Sequence, residues 1–241
     1  MDLTNAAVVV TGGRGGLGSR VCEAFLAAGS RLMAVDIVPE DSGRLVPAVT
    51  QRQADTSTPG GAQAMVEVAL AELGRIDVLV NNAAINQWVE FADLDGMTDE
   101  LWNRILGINL TGPWLCSKAV APVMKRQQNG RIVSVASIAG FRPSGSSIAY
   151  SVAKAGVIHL TRCLAVALAP HVLVNAVAPG LMEGTGMTVN LSDAFIDDTK
   201  RVSLLGRSAK LEDVAAQIVA FARSDTITGQ TLPVDAGVVF H

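Results

Sequence analysis

The sequence predicts an α/β fold: a doubly wound parallel sheet of about seven strands, with helices on both faces, in a single domain over residues 1–241. Short apolar runs without polar alternation recur between longer segments of helical period, the pattern of strands buried on both faces. The first such run is closed by a glycine-rich turn that leads straight into a helical stripe. With 49% hydrophobic and 17% charged residues, the chain can bury one large core and falls outside the disordered class.

Residues 6–10 are a β-branched run ending in Thr11-Gly12-Gly13-Arg14-Gly15-Gly16-Leu17-Gly18, hence a buried first strand. Leu17, Val21, Ala24, Phe25 and Ala28 form one apolar stripe, predicting a helix over 17–28 that stops at Gly29. Residues 32–35 read as a second strand and 49–54 as a weak third. Pro59 opens a helix that runs to Leu73 and ends at Gly74. Residues 76–80 are a fourth strand. Thr98-Asp99-Glu100 starts a long helix reaching Gln127, with Gly130 beyond its end. Strands at 132–135 and 172–177 flank a helix over 148–169. A helix at 211–222 and a short strand at 231–234 complete the pattern. The one long irregular segment, 181–205, has the length of a functional loop and reads as a lid carrying Leu181, Met182, Met187, Val189, Leu191, Phe195 and Ile196.

A net charge of −3 without a basic run argues against nucleic-acid binding. The opening Met1–Asn5 lacks the basic start of a signal peptide, and the apolar stretch 157–177 is broken by His159, Arg162, Pro170, His171 and Asn175, so a membrane span is not expected. Cys22, Cys116 and Cys163 are scattered, as are His159, His171 and His241. That spacing predicts neither a metal site nor a disulfide framework and fits a reducing, cytoplasmic setting.

A glycine-rich turn between strand and helix lets the backbone approach a pyrophosphate, whose charge is favoured by the helix N-terminus. Asp36, at the end of the second strand, can accept hydrogen bonds from both ribose hydroxyls of NAD. It would repel a 2′-phosphate by roughly 1–4 kcal/mol per charge. Arg14 points the other way, because a cation in the turn could meet that phosphate. Tyr150, the only tyrosine, has Lys154 four residues on, so both lie on one helix face. A neighbouring ammonium lowers a phenol's pKa from about 10, which would make Tyr150 a usable proton acceptor or donor. Ser137 follows the fifth strand, where it can hold a substrate oxygen. Taken alone, Tyr150 could equally be a core aromatic and Lys154 a surface cation.

Together these residues resemble the short-chain dehydrogenase/reductase family over nearly the whole chain. Its turn pattern is matched by Thr11, Gly12, Gly16 and Gly18, and its acidic adenine contact by Asp55, followed by Thr56. Its Asn-Asn-Ala-Gly run appears as Asn81-Asn82-Ala83-Ala84, and its Pro-Gly as Pro179-Gly180. Its catalytic tetrad falls on Asn109, Ser137, Tyr150 and Lys154. The Thr228-Gly229-Gln230 and Val234-Asp235 segments also match. Departures are Ala84 and Ala236 for glycines, Leu173 for a basic residue, a shortened 225–228 segment, and Thr185 one place later than usual.

The resemblance implies a Rossmann-like fold and an NAD site made by Gly12, Arg14, Gly16, Leu17, Gly18, Asp36, Ile37, Asp55, Thr56, Asn82, Ala83, Tyr150, Lys154, Pro179, Gly180, Met182 and Thr185. It implies hydride transfer between NAD(H) and a secondary alcohol or ketone, without a metal. In that chemistry Tyr150 exchanges the proton, Ser137 binds the oxygen, Lys154 tunes Tyr150 and binds ribose, and Asn109 holds a water leading from Lys154 to solvent. Ser137, Tyr150, Trp88, Ile138, Arg142 and Met187 would contact the substrate, a small or medium, mainly apolar, cyclic, aromatic or hydroxyacid compound. Two other readings stand beside it: an NADPH-dependent 3-oxoacyl thioester reductase, and a non-catalytic NAD-binding regulator. The family resemblance also implies a homodimer or homotetramer built on the helices after the fourth and fifth strands, with Met124, Ile158, Leu164 and Val166 as contacts.

Overall fold

The computed structural model describes residues 1–39, 48–188 and 191–240; Val189 of the expected lid and His241 lie outside them. Seven parallel strands form one sheet in the order β3-β2-β1-β4-β5-β6-β7. They are β1 (Ala7–Thr11), β2 (Arg31–Asp36), β3 (Val49–Gln53), β4 (Val78–Asn81), β5 (Gly130–Val135), β6 (Val172–Pro179) and β7 (Thr231–Val234). The order reverses between β1 and β4, which leaves a crevice beyond their carboxyl ends.

Helices α1 (Gly16–Ala27) and α7 (Leu211–Arg223) cover one face. Phe25, Val21, Val214 and Ile218 pack there on Val8, Val10, Val78 and Val80. Helices α2 (Pro59–Leu73), α4 (Gly112–Gln127) and α5 (Ile148–Leu168) cover the other. Met65, Val120, Met124 and Leu164 meet Val9, Met33, Leu79 and Ile132 on that side. Neighbouring strand residues therefore point to opposite faces, and both faces are apolar, so the strands read as continuous runs. Cys22 and Cys116 are sealed in these layers, and burial pushes both thiols up to about 12.

The structure departs from the sequence pattern in two places near the cleft. The long helix expected to begin at Thr98 is broken into α3 (Asp99–Leu106), a π-helical turn (Gly107–Thr111) and α4. Pro113 has no N–H to give to the Asn109 carbonyl four residues back, so the regular ladder cannot pass this point. The expected lid is not wholly irregular, because it contains α6 (Asp193–Val202). The Ser192 hydroxyl accepts from the Phe195 N–H at 3.3 Å, Asp193 stands in the first turn and Lys200 and Arg201 in the last, all favourable to the helix dipole.

Helix α5 has the length and apolarity of a membrane span, yet its inner face is packed on β6 and against the turn after β5. Of the expected subunit contacts, Met124, Ile158 and Leu164 are buried within the chain itself, which removes them from an outer surface; Val166 is 83% exposed. Spacing alone did not separate the inner stripe of these helices from the outer one.

Candidate active site

A cleft of about 590 Å³ follows the carboxyl ends of β1 to β6. Every site residue expected from the sequence lines it except Asn109, which is fully buried behind it. The cleft also takes in Val38 and Ile85, which carried no motif signal because they belong to loops shaped by tertiary contact, and Ser144, Ser146 and Thr188, which lie in the segments 138–147 and 181–205 expected to wall the substrate.

At one end lies the glycine turn. Gly12 has φ +62°, and a Cβ there would stand 2.7 Å from Ala83 Cα. A Cβ on Gly18 would run into the Gly12 carbonyl. On Gly16 it would press on Thr185 at 3.2 Å. Only glycine leaves this backbone bare of side chains, and the start of α1 beside it suits a diphosphate. Two side chains fix the turn. Asn82 Nδ2 donates to the carbonyls of Thr11 (3.0 Å) and Gly12 (2.8 Å). The Thr11 hydroxyl accepts from the N–H groups of Asn82 and Ala83, both at 3.1 Å.

Asp36 accepts from the Arg14 N–H at 3.2 Å and the Val38 N–H at 3.3 Å, which holds its carboxylate at the rim of the cleft beside exposed Ile37. The Arg14 side chain is 5% exposed and donates to Gln51 of β3. Asp55 accepts from both the N–H (3.0 Å) and the hydroxyl (2.6 Å) of Ser57, so it also braces the entry to α2. Thr56, Leu17, Pro179, Gly180 and Met182 complete this half. Despite its one-place displacement, Thr185 reaches the cleft, its hydroxyl 3.1 Å from that of Thr188. The bare glycine backbone and the carboxylate rim fit a dinucleotide, with Gly12, Gly16, Gly18, Asp36 and Lys154 as the residues that would hold it.

At the centre stand Ser137, Tyr150 and Lys154. Ser137 caps the 3₁₀ turn Ile138–Gly140, its hydroxyl accepting from the Ala139 N–H at 3.2 Å. The Ser147 hydroxyl caps α5 by accepting from the Tyr150 N–H at 3.2 Å, which sets the first turn carrying the phenol. Lys154 Nζ lies 5.7 Å from the Tyr150 ring centroid and donates to the Val135 carbonyl at 2.8 Å. Spacing four apart thus does bring phenol and ammonium together. Their electrostatics differ from the sequence expectation. Burial pushes the Tyr150 phenol above its ordinary value, with hydrogen bonding to Ser137 opposing the rise. Burial also pushes Lys154 down to about 8. The ammonium lies over the ring, and loss of solvent dominates the shift of both groups.

Asn109 sits in the π-helical turn with Oδ1 accepting from the Ile85 N–H and Nδ2 donating to the Ile85 carbonyl, both at 2.8 Å. Its side chain therefore ties the π-helical turn to the loop after β4, and these two bonds leave one Nδ2 hydrogen and one Oδ1 lone pair over. The substrate end is walled by Ile138, Met187, Trp88 and Phe195. The Trp88 and Phe195 rings meet edge to face at 5.2 Å, while Asn86 Nδ2 donates to the Met187 carbonyl at 2.9 Å. The lid and the loop after β4 are joined by these contacts. Arg142 is exposed at the mouth. Among the described residues no cluster of His, Cys, Asp and Glu could hold a metal.

Residues 6–196 match the family model for short chain dehydrogenase. The chain is 39% identical over 236 residues to a Streptomyces violaceoruber protein named as ketoacyl reductase 2 of the granaticin polyketide synthase, covering 95% of this chain and 94% of that one. It is 33% identical to galactitol 2-dehydrogenase of Agrobacterium fabrum, covering 98% of each chain. Its fold superposes with TM-score 0.87 on a 3-ketoacyl-(acyl-carrier-protein) reductase from Brucella melitensis complexed with NADH, at 30% identity over 98% of this chain and 99% of that one. With the glycine cradle and the Ser137–Tyr150–Lys154 cluster in one cleft, these likenesses make the chain a member of the short-chain dehydrogenase family and an oxidoreductase.

Proposed function

We propose that this chain interconverts a secondary alcohol and a ketone with NAD(H). The observation that carries the reading is the Ser137–Tyr150–Lys154 cluster in the same cleft as the glycine cradle. A nicotinamide nucleotide, when bound, supplies the hydride acceptor or donor. Ser137 orients the substrate oxygen, and Tyr150 exchanges its proton with that oxygen. Burial raises the Tyr150 pKa, which favours the protonated phenol that would donate to a carbonyl over the phenolate that would accept from an alcohol. Lys154 holds the nucleotide ribose and sits over the ring. Asn109 positions Ile85 at the cleft wall.

Asp36 supports NAD over NADP, since its carboxylate stands at the rim while the Arg14 guanidinium is engaged by Gln51. The mainly apolar lid end supports a cyclic or aromatic body on the substrate. A 3-oxoacyl thioester remains the second reading, favoured by the ketoacyl reductases among the similar proteins, one of them complexed with NADH. Reaction in a cytoplasmic setting accords with the free thiols. Association of two or four copies through the outer faces of α4 and α5 is supported by exposed Trp114, Val152 and Val166.

Four measurements test this reading. Replacing Tyr150 with Phe should lower turnover of a ketone panel by roughly 10²–10⁴-fold while NADH still binds; unchanged turnover would remove Tyr150 from the chemistry, and a native chain that binds NADH but turns over no ketone would leave the non-catalytic regulator. Asp36→Ala should shift the NAD-to-NADP ratio of kcat/KM toward NADP by about tenfold or more, and an unmoved ratio would deny Asp36 that role. Lys154, 3% exposed, holds its proton to about pH 8 when folded but to an ordinary 10.5 when unfolded. At this group the unfolded chain thus binds more protons between these values, so its contribution to stability is lowest below about pH 8 and rises by about 3 kcal/mol toward 10.5. Cys22 and Cys116, raised by burial, act in the opposite sense above pH 9 in both chains, so urea unfolding from pH 6 to 10.5 should show the native chain gaining about 3 kcal/mol relative to Lys154→Met; parallel profiles would contradict it. Sizing at micromolar concentration should give a species well above the 25.0 kDa of one chain, and a compact single-chain mass would dismiss the α4–α5 interface.

A further inference from the structure

Ser146 is 6% exposed and lines the cleft, while its hydroxyl oxygen is itself shielded and has no hydrogen-bond partner among the described residues, so turning it about the Cα–Cβ bond toward the cleft breaks no hydrogen bond. A buried hydroxyl left unpaired costs free energy unless a ligand or water satisfies it. Its surroundings put it on the substrate side. A Cβ added to neighbouring Gly145 would stand 3.0 Å from Tyr150 Cδ1 and 3.2 Å from Ala139 Cβ, so this loop lies against the phenol ring. The Ser146 carbonyl accepts from the Val89 N–H at 2.8 Å, which ties the loop to the segment carrying Trp88. Ser137 and Tyr150 already account for one substrate oxygen in the proposed chemistry. Ser146 belongs to neither the glycine cradle nor that pair.

We propose that the Ser146 hydroxyl is a specificity-determining group that hydrogen-bonds a second oxygen of the substrate, which makes the substrate an oxygenated ketone or alcohol rather than a monofunctional one. This rests on the alcohol–ketone reading and narrows its substrate class. Arg142, exposed at the mouth and on the same loop as Ser146, favours an electron-rich oxygen at this end of the cleft. The apolar wall of Ile138, Met187 and Trp88 takes the carbon skeleton.

The test compares cyclohexanone with 2-, 3- and 4-hydroxycyclohexanone, each assayed with NADH for kcat/KM and titrated calorimetrically into the chain, alone and with NADH. At least one hydroxyketone should be preferred over cyclohexanone by fivefold or more. Ser146→Ala should erase most of that preference, and Ser146→Thr, which keeps the hydroxyl, should retain part of it. If no ketone is turned over but a hydroxyketone binds preferentially and loses that preference in Ser146→Ala, the subsite stands and the alcohol–ketone reading falls. If the ketones are reduced with no preference among them, or the preference survives Ser146→Ala, the subsite is overturned. Absence of any preferential binding overturns it as well.

Discussion

The clasp between Thr11 and Asn82 is the contact on which the site depends. It joins the turn after β1 to the loop after β4, the two strands where the sheet order reverses. Four hydrogen bonds from two side chains hold the Gly12 backbone against Ala83 so closely that no Cβ fits between them. The loop after β4 is pinned a second time, by Asn109 gripping Ile85 from the π-helical turn. A nucleotide end and a substrate end thereby share one rigid seam, and the groups of the central cluster hang over it from β5 and α5.

Burial then decides the chemistry of that cluster. Spacing along a helix is enough to bring Tyr150 and Lys154 together, but not to set which charge state each prefers. In the closed pocket the neutral forms of both gain: phenol over phenolate, and amine over ammonium. The Val135 carbonyl gives the Lys154 ammonium one compensating partner, and Ser137 does the same for the phenol oxygen. A nucleotide lying along the same seam would change the field around both groups, so proton exchange and nucleotide occupancy are coupled by geometry.

Much of this was readable from residues. Parallel strands buried on both faces leave continuous apolar runs, and all seven appear near their expected positions. The glycine turn and the Tyr150–Lys154 face were legible because each is a local pattern with one backbone solution. Helix α6 was missed because it is short, buries no residue and lies inside a segment read as one long loop, although its Ser192-Asp193 start was a usable cap signal. Buried Met124, Ile158 and Leu164 were mistaken for outer contacts because an apolar helix looks alike on its two sides until packing divides them. The sign of the Tyr150 shift was hidden because solvent exclusion belongs to the assembled pocket rather than to any segment.

The wide turn ahead of α4 has a consequence for evolution and engineering of the chain. One residue more or less in a helix rotates everything after it by about 100°. Removing a residue from 107–111 to regularise the helix would swing Cys116, Val120 and Val123 out of the layer they fill beside α2 and bring polar positions inward. The irregularity is thus a phase setter, and the sequence of α4 is written for the angle it imposes.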